Sequence, residues 1–206
     1  MTETSMQKSE KKNGRQLFIS GLLVFAAVLL DQATKWLAAT RLKNSPVELI
    51  HGVFELRYLE NDSAAFSLDP ISILHRIFHF KYFDANPQGF LAFKMIFFVL
   101  FTLIVALVLI RFYLRIPWKK RFWPVNLIVL LLLAGAFGNL IDRVVHRYVI
   151  DFLYFSLIEF PVFNVADIYV TVAAFLLVFV MFFVYKDEDL DVLFPKWRKE
   201  EHADAE

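Results

Sequence analysis

The sequence predicts an all-α membrane protein: four transmembrane helices carrying a small β-rich segment on the extracytoplasmic side. Three observations predict it. Hydrophobic residues make up 58% of the 206 residues and Phe alone occurs 24 times, against about half apolar in an ordinary soluble domain. This apolar content is gathered in four blocks, each near the roughly 20 residues that a spanning helix needs. Basic residues crowd one end of each block, which sets an orientation.

The first span runs from about Leu17 to Leu37 and is interrupted by Asp31 and Lys35. Lys8, Lys11, Lys12 and Arg15 lie at or before its start. It has the basic beginning and apolar centre of a signal peptide, but no small-x-small site follows, so it reads as an uncleaved anchor. The second span, about Phe90 to Ile110, carries Lys94 near its start. Arg111, Arg115, Lys119, Lys120 and Arg121 fill the short connection to the third span, about Val125 to Ile141. The fourth, about Val165 to Tyr185, carries Asp167 in its first turn and is followed by Lys186, Lys196, Arg198 and Lys199. The positive-inside rule makes the three basic regions cytoplasmic. The chain is then a single domain, 1–206, with a cytoplasmic N-terminus (1–16), outer segments at 38–89 and 142–164, and a charged cytoplasmic tail (186–206).

Within the first outer segment, Phe54, Leu56 and Tyr58 alternate with Glu55, Arg57 and Leu59. A period of two is the mark of a half-buried strand, and PVELIHGVFELRYLEN suits a hairpin around Gly52. The following ISILHRIFHFKYF mixes apolar and basic residues. It fits either an amphipathic segment lying on the outer leaflet or a packed loop.

Composition also excludes. A net charge of +1 gives no field for nucleic acid. With no Cys there is no disulfide, thiol nucleophile or thiolate metal site. Five scattered His without an HExxH pattern do not make a zinc site.

The acids carry the chemistry. An acid at the centre of a spanning helix costs roughly 2.5–3.5 kcal/mol on insertion scales, and less near the ends. Asp31, Asp142, Asp151 and Asp167 all fall at the outer ends of apolar stretches, so topology places them in one layer. Asp151 lies in RYVIDFLYFSLIEF, too apolar for a solvated loop and expected to dip into or lie on the membrane. Asp151 and Asp167 are 16 residues apart, a spacing that lets a reversing segment bring them face to face.

Each acid also has a structural reading. Asn164 and Asp167 have capping-box spacing. Asp31 and Lys35 suit an i,i+4 pair. Asp151 can pair with Arg143 or Arg147, and Asp142 with Arg143 can mark the interface. If Asp151 and Asp167 do meet in a low-dielectric site, one must hold its proton. Such a pair activates water as a base and protonates a leaving amine as an acid. Ser67 and Ser156 have no evident His partner. In AGAFGN, Ala134, Gly135, Ala136 and Gly138 suit close helix packing, and Asn139 adds a polar group that can bond across helices.

Five motifs then appear in order: DQATK (Asp31–Lys35), NDSAAFS (Asn61–Ser67), GNLIDRV (Gly138–Val144), VIDF (Val149–Phe152) and FNVAD (Phe163–Asp167). Together they resemble bacterial lipoprotein signal peptidase, also called signal peptidase II, from about residue 17 to 185. The resemblance implies four helices, cytoplasmic termini and an outer β-rich cradle in the bacterial cytoplasmic (inner) membrane. It implies an aspartic endopeptidase acting at the extracytoplasmic face. Such enzymes cut the signal peptide from lipid-modified prolipoproteins just before the Cys that carries diacylglycerol. The catalytic dyad falls on Asp151 and Asp167. Asp31, Lys35, Asn61, Asn139, Asp142, Arg143 and Asn164 are implied to bind substrate or support the site. No cofactor or metal is implied, the partners are substrate and membrane lipid, and a monomer suffices. Departures are Ser63 where the family often has Gly, Ile168 where Ser is common, a longer 70–89 stretch and a long tail. The rival reading is a transporter or ion carrier, since intramembrane acids also mark ion paths. Against it, the acids form a layer at one face and no matched pair of broken helices is present.

Overall fold

The structure, a computed structural model, describes residues 12–63, 70–78 and 80–194. Residues 64–67 of the NDSAAFS motif, with Ser67, lie outside the described residues, as does the tail beyond 194. In chain order the elements are α1 (Gly14–Arg41), β1 (Val47–Ile50), β2 (Phe54–Asn61), α2 (Pro70–Phe78), α3 (Lys81–Asp84), α4 (Pro87–Arg115), α5 (Trp123–Val145), β3 (Val149–Tyr154), α6 (Val165–Phe179) and α7 (Asp187–Leu193). A π-helical turn, Val180–Val184, prolongs α6.

Four helices are long and apolar enough to cross a membrane: Gly14–Arg41, Pro87–Arg115, Lys120–Val145 and Val165–Val184. Three of them contain the expected spans and run up to five residues beyond them, and the fourth ends one residue short of the expected Tyr185. A helix in lipid must satisfy its own backbone groups, and the sequence marks where each begins. Asn13 with Gln16 forms a capping box on α1. Asn86 caps α4 just before Pro87, and Pro124 sits in the first turn of α5. Asn164 with Asp167 forms a capping box on α6. At its far end α4 is capped by Lys12, whose Nζ donates to the Tyr113 and Ile116 carbonyls at 2.5 and 2.7 Å.

Helix α5 is central and packs on α1, α4 and α6. Its small residues allow the close approach. A Cβ on Gly135 would lie 2.6 Å from both the Ala166 carbonyl oxygen and Val170 Cγ2. One on Gly138 would lie 2.6 Å from Asp31 Oδ2 and 3.0 Å from the Ala166 Cβ. Neither backbone nor a paired carboxylate can yield cheaply. Gly138→Ala is therefore expected to destabilise the bundle by about 1–3 kcal/mol, read as a lower Tm in detergent. An unchanged Tm would show that the three helices separate more freely than this packing allows.

The outer hairpin forms as expected: β1 and β2 pair antiparallel, and Gly52 takes a positive φ of 67° in the turn. The sheet has a third strand, formed by the start of the apolar run RYVIDFLYFSLIEF. The run then reverses, and Phe163 bridges back antiparallel to Leu153. The strand is β3, antiparallel to β2, with Asp151 opposite Leu59 and Val149 opposite Asn61. Val149, Ile150, Asp151 and Phe152 are all buried, and Ile150 and Phe152 pack on Ala38 and Leu42 of α1. A strand covered on both faces reads as a continuous apolar run, which accounts for Val149–Phe152, whereas Phe155, Leu157 and Ile158 beyond it are exposed.

Within the 70–89 stretch, α2, α3 and the start of α4 are helical. Ile73, Ile77 and Phe78 of α2 are exposed, while His75 packs among Phe80, Phe83 and Phe90. It is thus amphipathic, with one face packed at the start of α4. The start of the tail, Asp187–Leu193, is helical. Arg121, between α4 and α5, donates to both Asp189 oxygens in α7 at 3.0 and 2.5 Å and to the Val184 carbonyl at 2.6 Å.

Candidate active site

All four aspartates of the outer layer are buried, together with Lys35 and Asn164. They divide into two pairs by what holds them. Asp31 and Asp142 share one lysine: Lys35 Nζ lies 2.9 Å from Asp31 Oδ2 and 3.0 Å from Asp142 Oδ2. The i,i+4 pair expected on α1 is therefore half of a three-membered cluster reaching α5. Gln32 completes it, donating to Asp142 Oδ1 at 2.9 Å and to the Gly138 carbonyl at 3.1 Å. Asp142 does not merely mark the interface beside Arg143.

Each of these two carboxylates also holds a backbone amide. Asp31 Oδ1 accepts from the Ala166 N–H at 2.9 Å, and Asp142 Oδ2 accepts from the Ile150 N–H at 3.0 Å. Ala166 directly precedes Asp167, and Ile150 directly precedes Asp151. One buried cation is thus shared by two carboxylates, and each carboxylate fixes the backbone next to one member of the other pair.

Asp151 and Asp167 have different surroundings. Among the described residues neither forms an ion pair, so the suggested pairing of Asp151 with Arg143 or Arg147 does not occur. Asp151 Oδ2 accepts from Asn61 Nδ2 at 2.7 Å, and Oδ1 accepts from Asn164 Nδ2 at 2.6 Å. Asp167 Oδ1 accepts from Asn139 Nδ2 at 3.0 Å, and Oδ2 from the Asn164 N–H at 3.2 Å. Asn164 returns the cap by accepting from the Asp167 N–H at 3.0 Å. So Asn164 touches both aspartates, as side-chain donor to one and as helix cap to the other. Asn139 accepts from Lys35 at 2.9 Å and from Asn164 at 3.1 Å, tying the two pairs together.

Burial raises the affinity of Asp151 for its proton, and the nearby Asp167 charge adds to it. The Asn61 and Asn164 bonds and Lys35 oppose the shift, which still carries Asp151 to about 7. Folding stability depends on pH accordingly. The native state holds this proton more tightly than the unfolded chain, whose ordinary value is 3.8. The contribution is complete below about 4 and is lost as pH rises through about 7. Asp151→Asn is expected to flatten the dependence of Tm on pH across that interval.

Arg143 stands beside this network. Its guanidinium donates to the Ser63 carbonyl at 3.2 Å and lies 5.3 Å from the centre of the Phe98 ring. Its buried Nε has no partner among the described residues. Arg143, Asn139 and Asp167 form the polar end of a cavity of about 480 Å³. The rest of the cavity is apolar, with Phe97, Phe98 and Phe101 of α4 facing α5 and Val170 of α6.

The structure thus brings all nine sequence-derived candidates to one end of the bundle. Two further residues belong to the same network. Gln32 sits inside the DQATK motif, and its neighbours offered the signal. Phe98 lies in a span where one Phe among many is not distinguishable by sequence.

Comparison with known proteins shows what the chain is similar to. The family model for Signal peptidase (SPase) II matches residues 23–183. The chain is 36% identical over 167 residues to a lipoprotein signal peptidase of Streptococcus thermophilus, covering 81% of this chain and 92% of that protein. It is 39% identical over 163 residues to the lipoprotein signal peptidase of Symbiobacterium thermophilum, covering 77% and 91%. A bacterial membrane enzyme solved by the in meso method at 2.3 Å resolution superposes with a TM-score of 0.62 at 27% identity, covering 84% of this chain and 91% of that one. No finding favours the transporter reading. The family model spans more than half of the chain and the relatives are matched over most of their length, so this chain belongs to the signal peptidase II family.

Proposed function

We propose that this chain is an aspartic endopeptidase that removes signal peptides from diacylglyceryl-modified prolipoproteins, cutting before the lipidated Cys. One observation carries the catalytic type. Of four buried aspartates, two share Lys35, while Asp151 and Asp167 are bonded by neutral amides alone. Both touch Asn164, and the Asp167 charge raises the proton affinity of Asp151; carboxyls coupled in this way titrate as a unit. The apolar cavity that ends on Asp167, Asn139 and Arg143 supports a substrate that is part lipid and part peptide.

The proposed reaction follows general acid–base logic. The ionised member of the dyad takes a proton from water, whose oxygen attacks the scissile carbonyl carbon. The protonated member gives its proton to the carbonyl oxygen. Collapse of the tetrahedral intermediate breaks the C–N bond and passes a proton to the leaving amine. Asn61, Asn139 and Asn164 keep the carboxyls oriented, and Arg143 positions the substrate backbone. Lys35, Asp31 and Asp142 set the backbone beneath the dyad. The site lies at the extracytoplasmic face of the cytoplasmic (inner) membrane, with both termini in the cytoplasm, and a monomer suffices.

The pH profile tests the shared proton. Above about 7 the proton held by Asp151 is lost, and the acid role of the dyad goes with it. Single-turnover cleavage of a lipidated prolipoprotein is expected to fall about tenfold per pH unit once well above that value. A rate that stays flat to pH 9 would contradict the dyad. The same assay separates this reading from a carrier or scaffold, which yields no shortened product.

A further inference from the structure

At the opposite end of the bundle from the aspartates, a second cavity of about 460 Å³ opens between the start of α1 and the start of α5. Its upper part is apolar, with Leu23 from α1 and Leu127 and Leu130 from α5. Its rim is formed by Trp118, Lys119, Lys120 and Trp123. Neither lysine is paired with a carboxylate among the described residues, and both are exposed. Asn126 lines the same cavity and is 5% exposed. Its Nδ2 donates to the Phe122 carbonyl at 2.8 Å, which fixes the amide, and its buried Oδ1 is left without a partner among the described residues.

A buried acceptor without a donor costs about 1–3 kcal/mol relative to a satisfied one. An apolar slot, two cations at its mouth and one buried acceptor define a ligand. It has an acyl chain, a negative charge, and a hydroxyl that can donate. We propose that this cavity binds an anionic phospholipid with a hydroxyl-bearing headgroup, of the phosphatidylglycerol kind, in the leaflet opposite the aspartates. Lys119 and Lys120 meet the phosphate, a headgroup hydroxyl donates to Asn126 Oδ1, and one acyl chain lies along Leu23, Leu127 and Leu130. The two tryptophans sit where aromatic side chains gather at a membrane interface. A zwitterionic lipid fits less well, because its headgroup has no net charge to offer two lysines.

The test uses the full chain with Trp36→Phe and Trp197→Phe, which leaves Trp118 and Trp123 as the reporting fluorophores. The protein is reconstituted in phosphatidylcholine nanodiscs, and lipids with brominated acyl chains are titrated in as quenchers. Each lysine at an anionic lipid is worth about fivefold in partition. Brominated phosphatidylglycerol is therefore expected to quench at a mole fraction at least fivefold lower than brominated phosphatidylcholine or phosphatidylethanolamine. Lys119→Gln with Lys120→Gln, both on the surface, removes this preference. Asn126→Ala weakens phosphatidylglycerol quenching severalfold and leaves phosphatidylcholine unchanged. Equal quenching by all three lipids overturns the proposal, and so does a preference that survives the lysine changes. Relief of quenching by millimolar inorganic phosphate would show a free-anion site instead. Quenching lost on adding a second membrane protein, with no lipid preference, would assign the slot to a partner helix.

Discussion

Asp151→Asn and Asp167→Asn are each expected to lower cleavage of a lipidated prolipoprotein by at least about 10³-fold while the protein remains folded and inserted. General acid–base catalysis contributes about 10²–10⁴-fold, and here one proton is shared, so losing either carboxyl removes both roles. The asymmetry between activity and stability comes from the neighbours. Asn in place of Asp151 keeps an acceptor for Asn61 or Asn164 and removes a buried charge that no cation pairs with. Stability should therefore hold or rise slightly, since an unpaired buried charge is costly. At 167, Asn retains an oxygen to cap α6 through the Asn164 N–H, although one amide must turn to avoid donor facing donor at Asn139. Gel-shift detection of the shortened lipoprotein, with Tm recorded in the same detergent, separates the two effects. A substantially active variant at either position would end the dyad assignment.

The parts of this site that sequence revealed and those it did not differ in range. The Asn164–Asp167 capping box spans four residues, and the Asp31–Lys35 pair is one helical turn. Both are local and followed from spacing. The β1–β2 hairpin followed from alternation and a glycine. The spans followed from hydropathy, because the solvent itself selects for it. What spacing could not supply was partner choice across the fold. Asp142 lies 107 residues from Lys35, and Asn61 lies 90 residues from Asp151. Nothing local distinguishes those partners from Arg143 or Arg147, which are nearer in sequence. The third strand was missed for a related reason. Its burial depends on β2 and α1 covering it, and an apolar run alone does not say whether protein or lipid provides the cover.

Replacing Lys35 tests the other half of the acid layer, and here the expected damage is to stability. Lys35 is 1% exposed and bonds three groups: Asp31, Asp142 and Asn139. Lys35→Met keeps the length and removes the charge, leaving two buried carboxylates without a cation. Breaking a buried pair in this way costs about 3–5 kcal/mol, and the bonds from the Ala166 and Ile150 amides to those carboxylates offset it only in part. The Tm in detergent should fall sharply. The control is the triple variant Lys35→Met, Asp31→Asn, Asp142→Asn, which removes all three charges together and should recover much of the lost stability. Activity should not recover in parallel. Asn139 loses the lysine that anchors it against Asp167 and Asn164, and amide side chains hold the Ala166 and Ile150 backbone less firmly than carboxylates. Stability restored without activity would show that the lysine cluster exists to place the dyad. A Lys35→Met protein with an unchanged Tm would mean that the two carboxylates take up protons instead, and that the cluster is not the ion-paired support described here.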